Sequence, residues 1–252
     1  MSIQKNDGVP HYLRLAEYII KKIKSGEFVV GDKIPSEMEL SRQFGLNRHT
    51  VRQAIDRVAK LGWLTTIKGK GTYVKFKPTV VSYTISDKTC FTDNMKRIDR
   101  KHKSLLLGWE KDNPMREEAQ ALQLASDEQV YRLEILRYVN GTPFSITTSV
   151  LPEKAVPLIE QYLENFYSLY AILENHYNFT PVRVRSVFQA TFAEVKDITY
   201  LEMPEGVPIL KIKSLMCHPA GYPVEYDVIR IRGDMSECHI EFKGGDLRGI
   251  WE

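Results

Sequence analysis

Arg48 and Arg52 stand four residues apart behind Asn47, with His49 and Thr50 between them. These residue types at this spacing suit contacts to nucleic acid. An Arg fork can meet guanine O6 and N7 in two hydrogen bonds, and Thr suits a phosphate oxygen or a thymine methyl. His49 can do either job or simply pack. Two cysteine–histidine dipeptides, Cys217-His218 and Cys238-His239, raise the question of a metal. Neighbours on a strand point to opposite faces, and no Cys-x-x-Cys or His-x-x-x-His spacing accompanies them, so no metal site and no cofactor are expected. There is also no nucleophile elbow, P-loop or Gly-rich dinucleotide turn, which leaves an enzyme fused to a DNA-binding part as the weaker reading.

The arginines need a helix to carry them. Val51, Ile55, Val58 and Leu61 recur at helical spacing, so a helix beginning behind Asn47 buries that stripe and leaves Arg48 and Arg52 on another side. A preceding helix starts behind Ser36, places Leu40 and Phe44 on one face, and ends at Gly45. Two helices about a tight turn, the second with polar side chains in its first turn, form a helix-turn-helix. Upstream, Tyr12, Leu15, Ile19 and Ile23 give a first helix that Gly26 stops. Downstream, residues 62–67 and 72–76 are β-like runs around Lys68-Gly-Lys-Gly, a hairpin read as a wing, with Gly69 and Gly71 permitting the bend.

Charge supports this division. Residues 1–77 hold 15 Lys/Arg against 7 Asp/Glu, a balance of +8, while residues 78–252 hold 20 against 25, a balance of −5. A basic head on a mildly acidic body fits a polyanion binder coupled to a second task. The three scattered cysteines, Cys90, Cys217 and Cys238, do not form a disulfide framework. No apolar run approaches the ~18 residues of a membrane span, and the first residues lack a signal-peptide core. A cytoplasmic location without membrane contact is the expectation.

The remaining chain reads as an α+β unit. A short connector over 78–87 is expected after the wing, followed by a loop opening a helix near 88–97 and a helix at 114–122 with Pro114 at its start. Strands are expected over 130–139 and 142–151 about the Asn140-Gly141 turn, over 182–192, and over 208–217 and 223–231 about Ala220-Gly221. Helices fall near 168–176 and 194–201. An antiparallel sheet carrying helices follows.

The N-terminal motifs resemble the GntR family of bacterial transcription regulators: Tyr12, Gly31, Pro35-Ser-Glu, Leu40, Asn47-Arg-His-Thr-Val-Arg, Ala54, Gly62 and Gly69-Lys-Gly-Thr. The resemblance covers residues 10–76. It implies that operator DNA is contacted by Ser36, Glu37, Arg48, His49, Thr50 and Arg52, with the wing residues Lys68, Gly69, Lys70 and Gly71 entering the minor groove. Some relatives have Arg where this chain has Met38, so one of their contacts is missing here.

The later motifs resemble the UTRA effector domain of the HutC-like branch: Leu136-Arg-Tyr-Val-Asn-Gly-Thr-Pro, Leu151-Pro, Ser168-Leu-Tyr, Met203-Pro-Glu-Gly, Gly221-x-Pro-Val-Glu-Tyr and Arg232-Gly-Asp. The implied fold is a winged helix-turn-helix over 1–77, a linker over 78–87, a chorismate-lyase-like α+β antiparallel-sheet domain over 88–243, and a tail over 244–252. The resemblance implies an anionic metabolite bound by Thr89, Thr92, Arg137, Ser168, Tyr170 and Glu225. Arg137 can fork onto a phosphate or phosphonate, and Glu225 can take an ammonium or sugar hydroxyls; alternatively the two form a cross-strand ion pair. Sugar-phosphate relatives carry an Arg where Ile135 stands and a carboxylate where Thr147 stands, which favours a smaller anion. With Asn47 to Asp56, His49 included, the chain is most similar to PhnF-type regulators of phosphonate use, an amino-sugar phosphate being the alternative. The resemblance implies a repressor acting as a homodimer on double-stranded operator DNA.

Overall fold

A computed structural model describes residues 8–75, 79–88, 90–125 and 127–240. The chain divides into two compact units: one of Met1–Thr79 with Phe192–Ile198 and Met203–Val207, the other of Val80–Thr191, Thr199–Glu202 and Pro208–Glu252. Thr89 and the proposed tail over 244–252 lie outside the described residues.

In the first unit, α1 (His11–Lys24), α2 (Glu37–Phe44) and α3 (Arg48–Lys60) precede the hairpin of β1 (Leu64–Ile67) and β2 (Gly71–Val74). The helical stripes meet in one core: Leu15 and Ile19 of α1, Leu40 of α2, and Val51, Ile55 and Val58 of α3, closed by Leu64 and Val74 of the hairpin. Tyr18 meets Phe44 edge-on at 4.9 Å between ring centroids. Local chemistry fixes each boundary. Ser36 and Glu39 form a capping box at the start of α2, and Gly45 ends it with φ of 65°. Asn47 caps α3, its side chain accepting from the Thr50 N–H at 2.9 Å.

The second unit is built on a six-stranded antiparallel sheet. Its strands are β4 (His102–Asp112), β5 (Val130–Val139), β6 (Thr142–Pro152), β7 (Val182–Thr191), β8 (Ile209–Cys217) and β9 (Pro223–Arg232), in the spatial order β4-β5-β6-β9-β8-β7. A separate parallel pair joins β3 (Val81–Ile85) to β10 (Ser236–Ile240). This corrects the expectation of a connector over 78–87. Val81, Tyr83 and Ile85 alternate inward and are buried, so residues 81–85 belong to the core of the second unit. Two further strands, β4 and β10, had no clear signal, since both expose most of their side chains and so lack a strong alternation.

The faces of the sheet carry different partners. On one, α4 (Phe91–Arg97) with β3 packs Phe91, Met95 and Tyr83 against Ile212, Ile229 and Ile231, while α6 (Leu169–Tyr177) packs Leu169, Ile172 and Leu173 over Leu133 and Ile135. On the other, α5 (Arg116–Leu122) contributes Leu122 beside Val130, Val150 and Tyr226. Arg132 of β5, itself buried, ties α5 down through a two-pronged pair to Glu118 at 2.8 and 2.6 Å. A short helix, α7 (Val195–Tyr200), follows β7.

Candidate DNA-reading surface and effector pocket

At the start of α3, Arg48, His49 and Arg52 are exposed and Thr50 is half-buried. Arg52 meets Glu37 of α2 with two parallel hydrogen bonds of 3.2 Å, and an Arg48 guanidinium nitrogen lies 3.7 Å from the same carboxylate. Glu37 therefore aims two arginines from the neighbouring helix, and they hold its carboxyl below the usual range, Arg52 contributing most. Ser36 has its hydroxyl engaged in the α2 cap, and Thr50 donates its hydroxyl to Asn47 at 3.0 Å. Lys68, Gly69 and Lys70 stand exposed at the tip of the hairpin, with Gly69 and Gly71 at φ of 76° and 119°. Side chains other than Gly rarely adopt those angles, so the tip needs both. Met38, half exposed, contacts Arg42 through its sulfur at 3.7 Å.

A concavity opens in the second unit between the α4/β3 cluster and the α6 cluster. The space within it, open mouth included, is about 440 Å³. Thr92, Arg137, Ser168 and Tyr170 line it, as do Arg183, Asp227, Ser104, Tyr83 and Cys90, which sequence reasoning did not single out. Glu225 lies behind the lining, fully buried. Arg137 and Glu225 do not sit as cross-strand partners, because β6 runs between β5 and β9.

Arg137 is half-buried, with its guanidinium 5.0 Å from the centre of the Phe91 ring. Its Nε is buried and has no hydrogen-bond partner among the described residues. Ser168 caps α6, accepting weakly from the Ala171 N–H at 3.4 Å, and so brings the positive end of that helix to the cavity. Arg183 comes from β7, where one of its terminal nitrogens donates to the Ser86 carbonyl at 2.9 Å. A second guanidinium thus reaches the cavity although position 135 is isoleucine, and a carboxylate reaches it although position 147 is threonine. Neither substitute had a sequence signal, because β7 and β9 are aligned with β5 only by the order of strands in the sheet.

Residues 98–237 match the profile described as the UTRA domain, and residues 11–74 match that of bacterial regulatory proteins of the gntR family. The HTH-type transcriptional repressor NagR of Bacillus subtilis is 30% identical over 236 residues, spanning 93% of this chain and 95% of its own. The chain belongs to the GntR family. Within it, the winged helix-turn-helix joined to a UTRA domain places it in the HutC-like branch. The probable transcriptional regulator PhnF of Escherichia coli is 28% identical over 214 residues, covering 84% of this chain and 87% of its own. The crystal structure of PhnF from Mycobacterium smegmatis superposes with a TM-score of 0.61 over 90% of this chain and 98% of that one, at 18% identity, a likeness of fold. This GntR chain is therefore a DNA-binding transcription regulator with an effector-binding domain, a regulator and not an enzyme. Among the described residues no helix is long and apolar enough to cross a membrane.

Proposed function

We propose that this regulator is a homodimeric repressor whose hold on operator DNA is set by a small phosphonate or phosphorylated metabolite in the UTRA cavity. Arg48, His49, Thr50 and Arg52, with Ser36 and Glu37 supporting them, read the major groove, and the wing from Lys68 to Gly71 follows the minor groove. Thr92, Ser168 and Tyr170 surround the anion, with Thr89 completing the site as the family resemblance implies. The observation that carries the reading is Arg137: a buried guanidinium nitrogen with no hydrogen-bond partner among the described residues, on a side chain lining a cavity at a helix N-terminus, is a donor suited to an anion.

Two-fold symmetry explains why a dimer suits the task, since paired recognition helices match half-sites one helical turn apart or a multiple of it. The effector alters operator affinity by binding the DNA-competent and DNA-incompetent states unequally. The test is Arg137→Ala in the full chain. Operator binding is retained, and the response to any anionic compound that shifts the wild-type protein is lost. Full effector binding by the variant in calorimetry removes Arg137 from the site.

A further inference from the structure

The wing carries a notch that another part of the chain fills. Residues 31–34 run alongside β2. The Gly31 N–H donates to the Val74 carbonyl at 3.0 Å, the Val74 N–H to the Asp32 carbonyl at 2.8 Å, and the Ile34 N–H to the Thr72 carbonyl at 2.9 Å. Lys33 thereby stands opposite Tyr73, and opposite residues of an antiparallel pair share a face. Gly71, two residues from Tyr73 toward the tip, lies on that same face. The Lys33 side chain runs toward the tip along it. A Cβ on Gly71 would stand 2.5 Å from Lys33 Cε and 3.3 Å from its Nζ. Gly71 therefore serves twice, giving the backbone its φ of 119° and leaving room for a lysine. Lys33 is exposed and makes no ion pair among the described residues, whereas Lys22, Lys111, Lys154 and Lys213 each meet a glutamate. The Glu39 carboxylate feels its charge but is taken up by the Ser36 N–H at 2.7 Å.

We propose that Lys33 is a phosphate-binding residue of the DNA surface, seated by Gly71 so that its ammonium adds to those of Lys68 and Lys70. This goes beyond the contacts assigned above to α3 and the wing, and it rests on that reading. A helix in the major groove and a hairpin in the neighbouring minor groove straddle one sugar–phosphate strand. Lys33 belongs to both sides of that saddle. Its side chain lies along the hairpin, while its backbone leads within three residues to Ser36, the N-cap of α2, whose Glu37 holds Arg52. A cation at this place meets the phosphates between the two grooves. Lysine suits the task, because its ammonium is a point charge on a long stem and neutralises a phosphate without reading a base. The contact adds affinity on any sequence, so its signature lies in the salt dependence of binding and not in base preference.

The experiment needs no operator, because a phosphate contact is made on any duplex. The full chain and its variants are titrated by fluorescence anisotropy onto a mixed-sequence duplex about three helical turns long, over a series of salt concentrations. Lys33→Gln keeps most of the stem and removes the charge, so the log–log salt slope should fall by about one, with affinity at low salt down about fivefold or more. Lys154→Gln removes the same charge from an exposed position on the second unit and should leave the slope unchanged. In Gly71→Ala the lysine loses its seat, so adding Lys33→Gln to that background should lower the slope much less. An unchanged slope in Lys33→Gln overturns the inference, as does an equal fall in Lys154→Gln or full additivity with Gly71→Ala. Replacing Lys68 and Lys70 by Ala separates the two readings. If that pair lowers the slope while Lys33→Gln does not, the wing stays on the DNA and Lys33 leaves it. If neither changes the slope, both readings fall.

Discussion

Arg52 and Glu37 make a fork-to-fork pair on the surface, and such a pair contributes only about 0.2–1 kcal/mol to stability. Its value lies in aim. The Arg52→Ala variant should keep its thermal stability and its effector affinity while losing about tenfold or more in operator affinity at fixed salt, the size of one bidentate base contact. Fluorescence anisotropy checks this, and unchanged operator affinity would remove Arg52 from the reading surface. The buried carboxyl behaves oppositely to a surface one. Because the folded state raises the Glu225 carboxyl above its unfolded value near 4.5, folding takes up a proton there. The resulting stability is fully present below about 4.5 and is lost as pH rises through the folded value. Glu225→Gln should therefore melt higher than the wild type at neutral pH, with the difference shrinking toward pH 4. A variant less stable at neutral pH in thermal unfolding would show that the carboxylate is paired and ionised in the fold.

At the scale of elements, the DNA-reading helix depends on its cap. Asn47 accepts from both the N–H and the hydroxyl of Thr50, so it holds the first turn of α3, where the proposed DNA contacts stand. Replacing it by Ala removes a cap worth about 1 kcal/mol, and denaturant unfolding should report a loss of that size, together with weaker operator binding as the first turn frays. Much of this element was legible beforehand, because caps, a left-handed Gly and a four-residue stripe are local signals. The effector unit was less so. β5, β6, β8 and β9 are readable from alternation and turns, whereas β3 reads as a connector because five residues beside a proline carry too little pattern to announce a buried strand. Likewise β4 exposes Leu105 and Trp109, which blurs its alternation.

The whole molecule joins a basic head to a body of opposite net charge. Neutralising DNA phosphates releases counterions, so operator affinity should fall steeply with salt. If Lys68 and Lys70 each cover one phosphate, then replacing both by Ala should reduce the log–log salt slope by roughly two while weakening all sequences about equally. An unchanged slope would take the wing off the DNA. In the proposed reading the effector acts on the same quantity from the cavity of the UTRA unit.

By itself the sequence determined the helix that carries the proposed DNA contacts. Arg48 and Arg52, four residues apart on α3, fall on a common side by the helix's period alone, while Thr50, two residues from each, turns away from them. It also determined that a second, sheet-based unit follows, and the family resemblance pointed to Arg137 and Ser168, which line a cavity there. Only the tertiary structure decided what surrounds that site. Arg137, Arg183 and Asp227 are tens of residues apart on three different strands, and Glu37 meets Arg52 across two helices. Their meeting depends on strand order and register, which are set by packing the whole sheet against α4 and α6, so no window of sequence contains the information.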